Sequence, residues 1–169
     1  DKPDLAVRRD TAGRLYVAGL QIKGEEATQT GFSDWLLAQS EVSVRGARIV
    51  WTDEQRGAPP LDLSGVGLVL RNSGSAHRFA LRAAVPRELA SMLDVRGELS
   101  GTSLARLEEW SGKLYAELEY IDLDAWRRWL DYPVELRSGD GGLRLWVDFA
   151  QNRLTHMTAD VALAGVSLR

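Results

Sequence analysis

Two histidines and no cysteine limit the chemistry open to this chain of 169 residues. Thiolate nucleophiles and Cys/His zinc sites need residues that are absent here, so both are excluded. His156 lies four residues before Asp160, with hydroxyl side chains nearby, which is the composition of a proton relay. On a strand, however, residues four apart are about 13 Å from each other, too far for a hydrogen bond. His77 ends an alternating apolar run, and we expect a capped or rim histidine rather than a ligand.

Glu117 and Glu119 share the polar side of a predicted strand, a spacing that raises the paired-carboxylate chemistry of glycosidases. Such pairs need environments that separate their pKa values, whereas two acids on an exposed strand are simply solvated. The run Gly139-Asp140-Gly141 lacks the third glycine and the helix of a dinucleotide loop. G-x-S-x-G, P-loop and H-E-x-x-H motifs are also absent. We therefore predict a protein that is not an enzyme, with no catalytic residue, no metal site and no cofactor.

The charge balance argues against nucleic acid as a partner. Lysine and arginine number 21 against 24 aspartates and glutamates, a net charge of -3, and the basic residues do not cluster. No run approaches the roughly 18 apolar residues of a membrane span. The chain begins with Asp1-Lys2-Pro3 rather than methionine and ends in a strand-like pattern. We therefore expect residues 1–169 to be a single β-rich domain, excised from a longer protein.

Alternation with a period of two residues dominates the sequence and indicates the elements that position these side chains. Residues 76–85, 113–121 and 143–149 place apolar side chains on one side and mostly polar ones on the other. This pattern is typical of half-buried antiparallel strands. Shorter patterns of the same kind occur near 4–9, 13–22, 42–52, 61–71, 93–99, 134–138 and 153–168.

Turn residues and glycines punctuate these strands. Residues 138–142 and Gln151-Asn152 predict hairpin turns, and Pro59-Pro60 predicts a loop before a strand. A recurring pattern of two alternating apolar residues followed by glycine indicates bulges or bends in a curved sheet, unless it is coincidence. Its five glycines are Gly19, Gly46, Gly65, Gly97 and Gly165.

Helical signals are few, and all are short. They predict 34–39 capped by Ser33, 86–93 begun by Pro86, 125–131 capped by Asp122 or Asp124, and a turn at 103–109. These helices carry too few large side chains to cover about ten strands that are apolar on one side. The predicted fold is therefore mainly β with two to four short helices. It is either a curved antiparallel sheet that forms a groove or open half-barrel, or a closed β-sandwich.

Six tryptophans are many for this length. Tryptophan combines an apolar ring system with an N–H that needs a partner, so it suits semi-polar boundaries. Packing in the core and at sheet edges, a sugar-stacking surface and a rim beside lipid all remain open as interpretations.

An ordered series of segments resembles the YhdP family of AsmA-like proteins. The similarity spans nearly the whole chain and rests on no single short motif. The segments are 34–39 (DWLLAQ), 49–54 (IVWTDE), His77-Arg78-Phe79, 93–97 (LDVRG), 112–149 and Thr158-Ala159-Asp160.

The resemblance implies a Gram-negative envelope protein. An N-terminal helix would anchor the full-length protein in the inner membrane, and a long curved β-sheet with an apolar inner groove would extend through the periplasm. The family is implicated in moving phospholipid from inner to outer membrane and in the outer-membrane permeability barrier. The resemblance implies no catalytic residues. We expect this chain to be a fragment without the anchor, with a phospholipid or other acyl-chain lipid and the adjoining β segments as partners.

A lipid that slides along a groove needs a continuous apolar lining without a deep pocket. We predict that this lining consists of Leu68, Leu70, Phe79, Leu81, Leu114, Leu118, Leu143, Leu145, Val147 and Phe149. The competing interpretation makes the same residues a closed core without a ligand. A structural or partner-binding β module is the alternative function, followed by a carbohydrate-binding module, which would need several exposed tryptophans in a row.

Overall fold

The computed structural model describes residues 3–23, 30–126, 128–129 and 140–164. Most of this part of the chain is strand. The strands are β1 (Asp4–Arg9), β2 (Leu15–Val17), β3 (Leu20–Lys23), β4 (Glu41–Asp53), β5 (Leu61–Ser73), β6 (Ala76–Ala84), β7 (Met92–Ser100), β8 (Ser111–Asp122), β9 (Asp140–Ala150) and β10 (Arg153–Ala164). The helices are α1 (Thr30–Ala38), a 3-10 helix (Leu104–Glu109) and α2 (Leu123–Trp126). The predicted mainly β fold with a few short helices is confirmed.

All ten strands belong to one sheet, in the order β10-β9-β8-β7-β6-β5-β4-β1-β2-β3. From β4 to β10, each strand pairs antiparallel with the next strand along the chain. The predicted antiparallel sheet includes one parallel pair, because β1 pairs parallel with β4 from Asp4 opposite Arg48 to Arg9 opposite Asp53. A parallel pair needs a long crossover connection. Here β2, β3 and α1 occupy that connection, and the ion pair between Arg9 and Asp53 holds the register.

The predicted turns are confirmed at two places and wrong at a third. Gln151-Asn152 join β9 to β10 with positive φ at both residues, as a tight hairpin requires. β5 begins directly after Pro59-Pro60. Of the turn predicted at 138–142, residues 140–142 lie within β9, because all three pair with β10 and the first two also pair with β8. Residues 138–139 lie outside the described residues. The predicted strand at 134–138 and the end of the last predicted strand, 165–168, lie outside the described residues.

The predicted helix over residues 86–93 does not form. Pro86 begins only one turn, in which its carbonyl accepts the N–H of Leu89 at 2.8 Å. The Leu89 carbonyl then accepts the N–H of Asp122 at 2.9 Å, and β7 starts at Met92. Pairing with the end of β8 therefore overrides the local helical preference of this segment.

The other helices overlap their predicted positions. For the helix predicted at 125–131 the overlap is residues 125–126, and residues 127 and 130–131 lie outside the described residues. Asp122 is the cap of α2, because its Oδ1 accepts the N–H of Ala125 at 3.0 Å. The 3-10 helix lies within the predicted turn at 103–109. The prediction of Ser33 as the cap of the first helix is wrong, because α1 already includes Thr30.

The strand pairing sorts the side chains of β4 to β9 onto two faces, since residues directly opposite each other in a ladder point to the same side. One side, called the apolar face, carries Val42, Val44, Ile49, Leu68, Leu70, Phe79, Leu81, Val95, Leu114, Ala116, Leu118, Leu143, Leu145, Val147 and Phe149. The other side, called the polar face, carries most of the charged residues. The alternation in the sequence therefore predicts the two faces correctly.

Two glycines coincide with irregularities in the ladders of β4 and β5. Gly46 and Gly65 have φ values of 67° and 59°, and the pairing shifts register beside each of them. Glycine adopts this backbone region without a steric penalty, so the bulges form where the sequence supplies it. Gly19 instead lies in the turn between β2 and β3, and Gly97 lies beneath an aromatic ring. Gly165 is outside the described residues, and the four described glycines do not form one structural repeat.

Two clusters form the buried core. The Trp126 cluster consists of Leu61, Val85, Leu89, Ala90, Leu118, Ile121 and Trp126. A smaller cluster consists of Ala47, Val66 and Ala83, and Val44, Ile49, Leu63 and Leu81 pack against it. In the described residues the single sheet is neither closed into a barrel nor covered by a second sheet. Of the two predicted arrangements, the structure has the open curved sheet.

Candidate functional site

The ten residues predicted to line a groove all lie on the apolar face. Leu81 is opposite Leu68, and Phe79 is opposite Leu70. On the other side of β7, Leu114 is opposite Val147. With strands about 4.8 Å apart and residues about 3.3 Å apart, the set covers about 19 Å across the strands and about 20 Å along β9. The structure thus brings these residues together on one continuous surface.

Nine of these ten side chains are half-buried. The exception is Leu118, which is 7% exposed. A closed core would bury most of them, and an outward-facing apolar surface would expose them more fully. Half-burial is what side chains have when they touch one another on a curved surface that nothing covers.

Apolar packing covers one end of this face, called the Trp126 end. The indole Nε1 of Trp126 donates to the Leu89 carbonyl at 3.0 Å, and that of Trp129 donates to the Pro59 carbonyl at 2.9 Å. The two indole rings meet edge to face, 6.0 Å apart. This arrangement places the single turn after β6 and the start of α2 over the ends of the strands. Leu118 therefore belongs to the core at this end and not to the open surface.

A polar network closes the opposite end, called the His77 end. His77 is 2% exposed, with Nδ1 2.7 Å from Asn72 Oδ1 and Nε2 2.9 Å from the Gly101 carbonyl. Its ring stacks on Trp110 at 5.1 Å. The Asn72 side chain also donates to the carbonyls of Leu36 and Gln39, which ties the end of α1 to the sheet. His77 is the capped histidine that the sequence predicts, and both of its ring nitrogens have structural partners.

Between these two ends no described element covers the apolar face, which continues to the edge of the described sheet. On β10, Leu154, Met157 and Val161 lie opposite residues of the apolar face. Their side chains are 60%, 58% and 43% exposed. Described residues cover both strand ends, whereas none of them covers this edge. In the described part of the chain, the open surface therefore runs across the strands rather than along them.

Ion pairs between neighbouring strands cover the polar face. Arg48 binds Asp62 through two nitrogens, and Arg144 binds Glu117 at 2.9 Å. Asp94 lies between two arginines of β6 and β7. The hydrogen bond from Arg96 is the main cause that lowers the pKa of Asp94, so this carboxylate stays ionised. The ion pairs therefore keep the polar face charged, as suits a surface in contact with water.

The residues considered for catalysis do not form a site. Arg144, and after it the Tyr115 hydroxyl, lower the pKa of Glu117, whereas the general acid of a glycosidase needs a raised pKa. Glu119 is exposed. The Thr158 hydroxyl lies 3.2 Å from His156 Nε2, but both residues are exposed at the sheet edge. Among the described residues, no group of three or more histidine or acidic side chains could hold a metal ion.

The tryptophans mostly serve packing. Trp110 and Trp126 are buried, and Trp51 and Trp129 pack against the Trp126 cluster. Trp35 on α1 and Trp146 on the polar face of β9 are exposed, in different parts of the molecule. The described residues therefore contain no row of exposed rings such as a carbohydrate-binding surface needs.

Two features of the structure were not predicted from the sequence. Asn72 lies just beyond the predicted end of its strand, although its place opposite His77 makes it the key polar residue of the His77 end. An excess of arginine on the polar face, at Arg45, Arg82 and Arg96, depends on the lateral order of four strands. Alternation predicts the face of each residue but not its neighbours on other strands.

In the described part of the chain, the fold and this surface define a class of protein: a single β-sheet, not closed into a barrel, with one apolar, half-buried side. None of the helices in the described part of the chain is long and apolar enough to cross a membrane. The sequence model of the family described as YhdP protein matches residues 1–169, the whole chain. The chain belongs to this family of AsmA-like cell-envelope proteins. The comparisons with curated proteins and with solved structures returned no match.

Proposed function

We propose that this chain is a segment of a periplasmic, bridge-like lipid-transport protein and that its apolar face lines a groove for phospholipid. In this proposal the full-length protein is anchored in the inner membrane, and phospholipid moves between the inner and outer membranes. Transport of this kind supports the permeability barrier of the outer membrane. The observation that carries the proposal is the half-exposed apolar face, which stays open between its two covered ends.

The chemistry of this face suits the passage of acyl chains. In its middle, from Val42 and Val44 on β4 to Val147 on β9, every described position is apolar or glycine. Each CH₂ group removed from water contributes about 0.8 kcal/mol, so a modest lining holds a chain. The absence of a polar group from this middle region avoids a point at which a lipid would be held tightly.

A transport role requires no catalysis by this chain. Lipid that moves as an intact molecule undergoes no bond breaking, so a nucleophile, base or metal has no task here. We accordingly propose that the chain is not an enzyme and has no cofactor.

Site-specific photocrosslinking in cells that express the protein tests this function. A benzophenone amino acid at position 145 would lie on the apolar face, and the same probe at position 146 would lie on the polar face of the same strand. We expect crosslinked phospholipid at position 145 and none at position 146. Equal labelling at both positions, or none at 145, would refute the groove.

A structural or partner-binding module is the second candidate, and the edge strand β10 favours it. An exposed strand edge is a template for pairing with another strand, and Leu154 and Met157 add apolar surface there. This candidate predicts that the folded protein carries no lipid and that crosslinks from β10 reach an adjoining β segment. Native mass spectrometry with parallel lipid extraction separates the two candidates.

A further inference from the structure

The polar face has a local excess of positive charge. Elsewhere on this face, arginines pair one to one with carboxylates on the neighbouring strand. These pairs are Arg48–Asp62, Arg71–Glu41, Arg78–Glu98 and Arg144–Glu117. Around Gly67 the balance changes, because Arg45, Arg82 and Arg96 surround a trough that contains Asp94 as its one carboxylate.

The trough crosses four strands, from β4 to β7, and has a volume of about 480 Å³. Its floor is low because the side chains there are small or absent. Gly67 is opposite Arg82, and Val69 is opposite both Ser43 and Ala80. The result is a mainly apolar floor between guanidinium groups.

Asp94 orders two of the three arginines without neutralising the trough. It accepts from Arg82 Nε at 2.7 Å and from Arg96 Nε at 3.0 Å. The Asp94 side chain is 11% exposed, whereas the side chains of Arg82 and Arg96 are 68% and 55% exposed. The negative charge is therefore covered while both guanidiniums still face solvent.

Arg45 supplies the unbalanced charge. It is exposed on β4 and lines the trough, and its side chain makes no ion pair or hydrogen bond with any described residue. The trough lining, with three guanidiniums and one carboxylate, has a net charge of about +2 at neutral pH. Glu117, opposite Asp94 on β8, is paired with Arg144. Guanidinium groups match phosphate oxygens through paired hydrogen bonds, which makes an arginine cluster a phosphate-binding arrangement.

We propose that this trough on the polar face binds an anionic amphiphile through its phosphate headgroup. The arginines would hold the phosphate, and the floor of Gly67, Val69 and Ala80 would hold the adjacent apolar part. The apolar floor and the size of the trough exceed what a free phosphate ion uses, and small-molecule sites commonly have volumes of about 300–1,000 Å³. This site is on the opposite side of the sheet from the proposed groove.

Titration of the isotope-labelled protein with a short-chain phosphatidylglycerol, kept below its micelle concentration, tests the proposal. The amide signals of Gly67 and Ala80 should shift and saturate. Arg45→Gln and Arg96→Gln should each weaken binding about tenfold, because each removes a charge-assisted interaction with the headgroup. Arg71→Gln is the matched control, since it removes the same charge from a balanced pair on the same face, and should change binding less than about twofold.

The proposal would be overturned by no shift at Gly67, by equal weakening in Arg71→Gln, or by inorganic phosphate binding as tightly as the lipid. Preferential binding of an acidic peptide at the same signals would overturn it as well, in favour of a protein partner. Leu145→Asp acts on the other side of the sheet and should leave this titration unchanged. The proposed groove and the proposed phosphate site can therefore fail independently of each other in these experiments.

Discussion

Leu118 and Leu145 are the same residue type on the same face of neighbouring strands, yet their environments differ. Leu118 is 7% exposed because it lies in the Trp126 cluster. Leu145 is half-buried and lies opposite the small side chains of Ala116 and Ala159 on its two neighbouring strands. The strand pattern is identical at both positions, so the elements that fold over the strand ends decide which leucine is core and which is surface.

The two ends of the apolar face also differ from each other. The Trp126 end is closed by apolar packing, whereas the His77 end is closed by hydrogen bonds among buried polar groups. Both arrangements keep water from the strand ends, but a mutation destabilises each of them in a different way. Loss of packing leaves a cavity, and loss of a polar partner leaves a buried group without a hydrogen bond.

Truncation at the Trp126 end should give the largest loss of stability. Trp126→Ala removes a buried ring and its hydrogen bond to Leu89, so we expect the free energy of unfolding to fall by about 3–5 kcal/mol. Denaturant unfolding measures this change. Trp146→Ala, on the exposed polar face, is the control and should change stability by about 0.5 kcal/mol or less. Similar losses in both variants would mean that the Trp126 end is not the core.

A change at the His77 end should have an intermediate effect. His77→Phe keeps a ring against Trp110 but leaves Asn72 Oδ1 and the Gly101 carbonyl without their partner, at a cost of about 1–3 kcal/mol. Faster hydrogen exchange in α1 should accompany this loss, because Asn72 ties α1 to the sheet. His156→Phe, at the exposed edge, should leave both measurements unchanged. If hydrogen exchange in α1 is unchanged in His77→Phe, His77 does not contribute to the docking of that helix, and the prediction is wrong.

Acid titration should give the smallest effect, on the polar face. The pKa of Asp94 is lowered in the folded protein, chiefly by Arg96, so its stabilising contribution is complete above the unfolded value of about 3.9. That contribution should decline as the pH falls below about 4 toward the lower folded-state pKa. Asp94→Asn should flatten this part of the stability–pH profile. The idea fails if the variant and the natural chain lose stability in parallel below pH 4.

The strands and their two faces could be predicted because a period of two residues carries that information locally. The local pattern could not show that residues 86–93 do not form a helix. The interaction that replaces the helix is a hydrogen bond from the N–H of Asp122, far along the chain, to the Leu89 carbonyl. The parallel position of β1 depends on the path of the chain through β2, β3 and α1. Whether the apolar face is open could not be predicted either, because Leu118 and Leu145 look alike in the sequence. The arginine trough depends on strand order for the same reason.

The most direct test of an open groove compares Leu118→Asp with Leu145→Asp, by unfolding free energy and by labelling with a photoreactive phospholipid. A charge buried without a partner at position 118 should cost about 4 kcal/mol or more and abolish the fold. At position 145 we predict a folded protein, with a loss of about 1 kcal/mol or less, that no longer takes up the lipid label. If Leu145→Asp unfolds the protein as Leu118→Asp does, or if it folds and labels like the unaltered chain, the apolar face is not an open lipid groove.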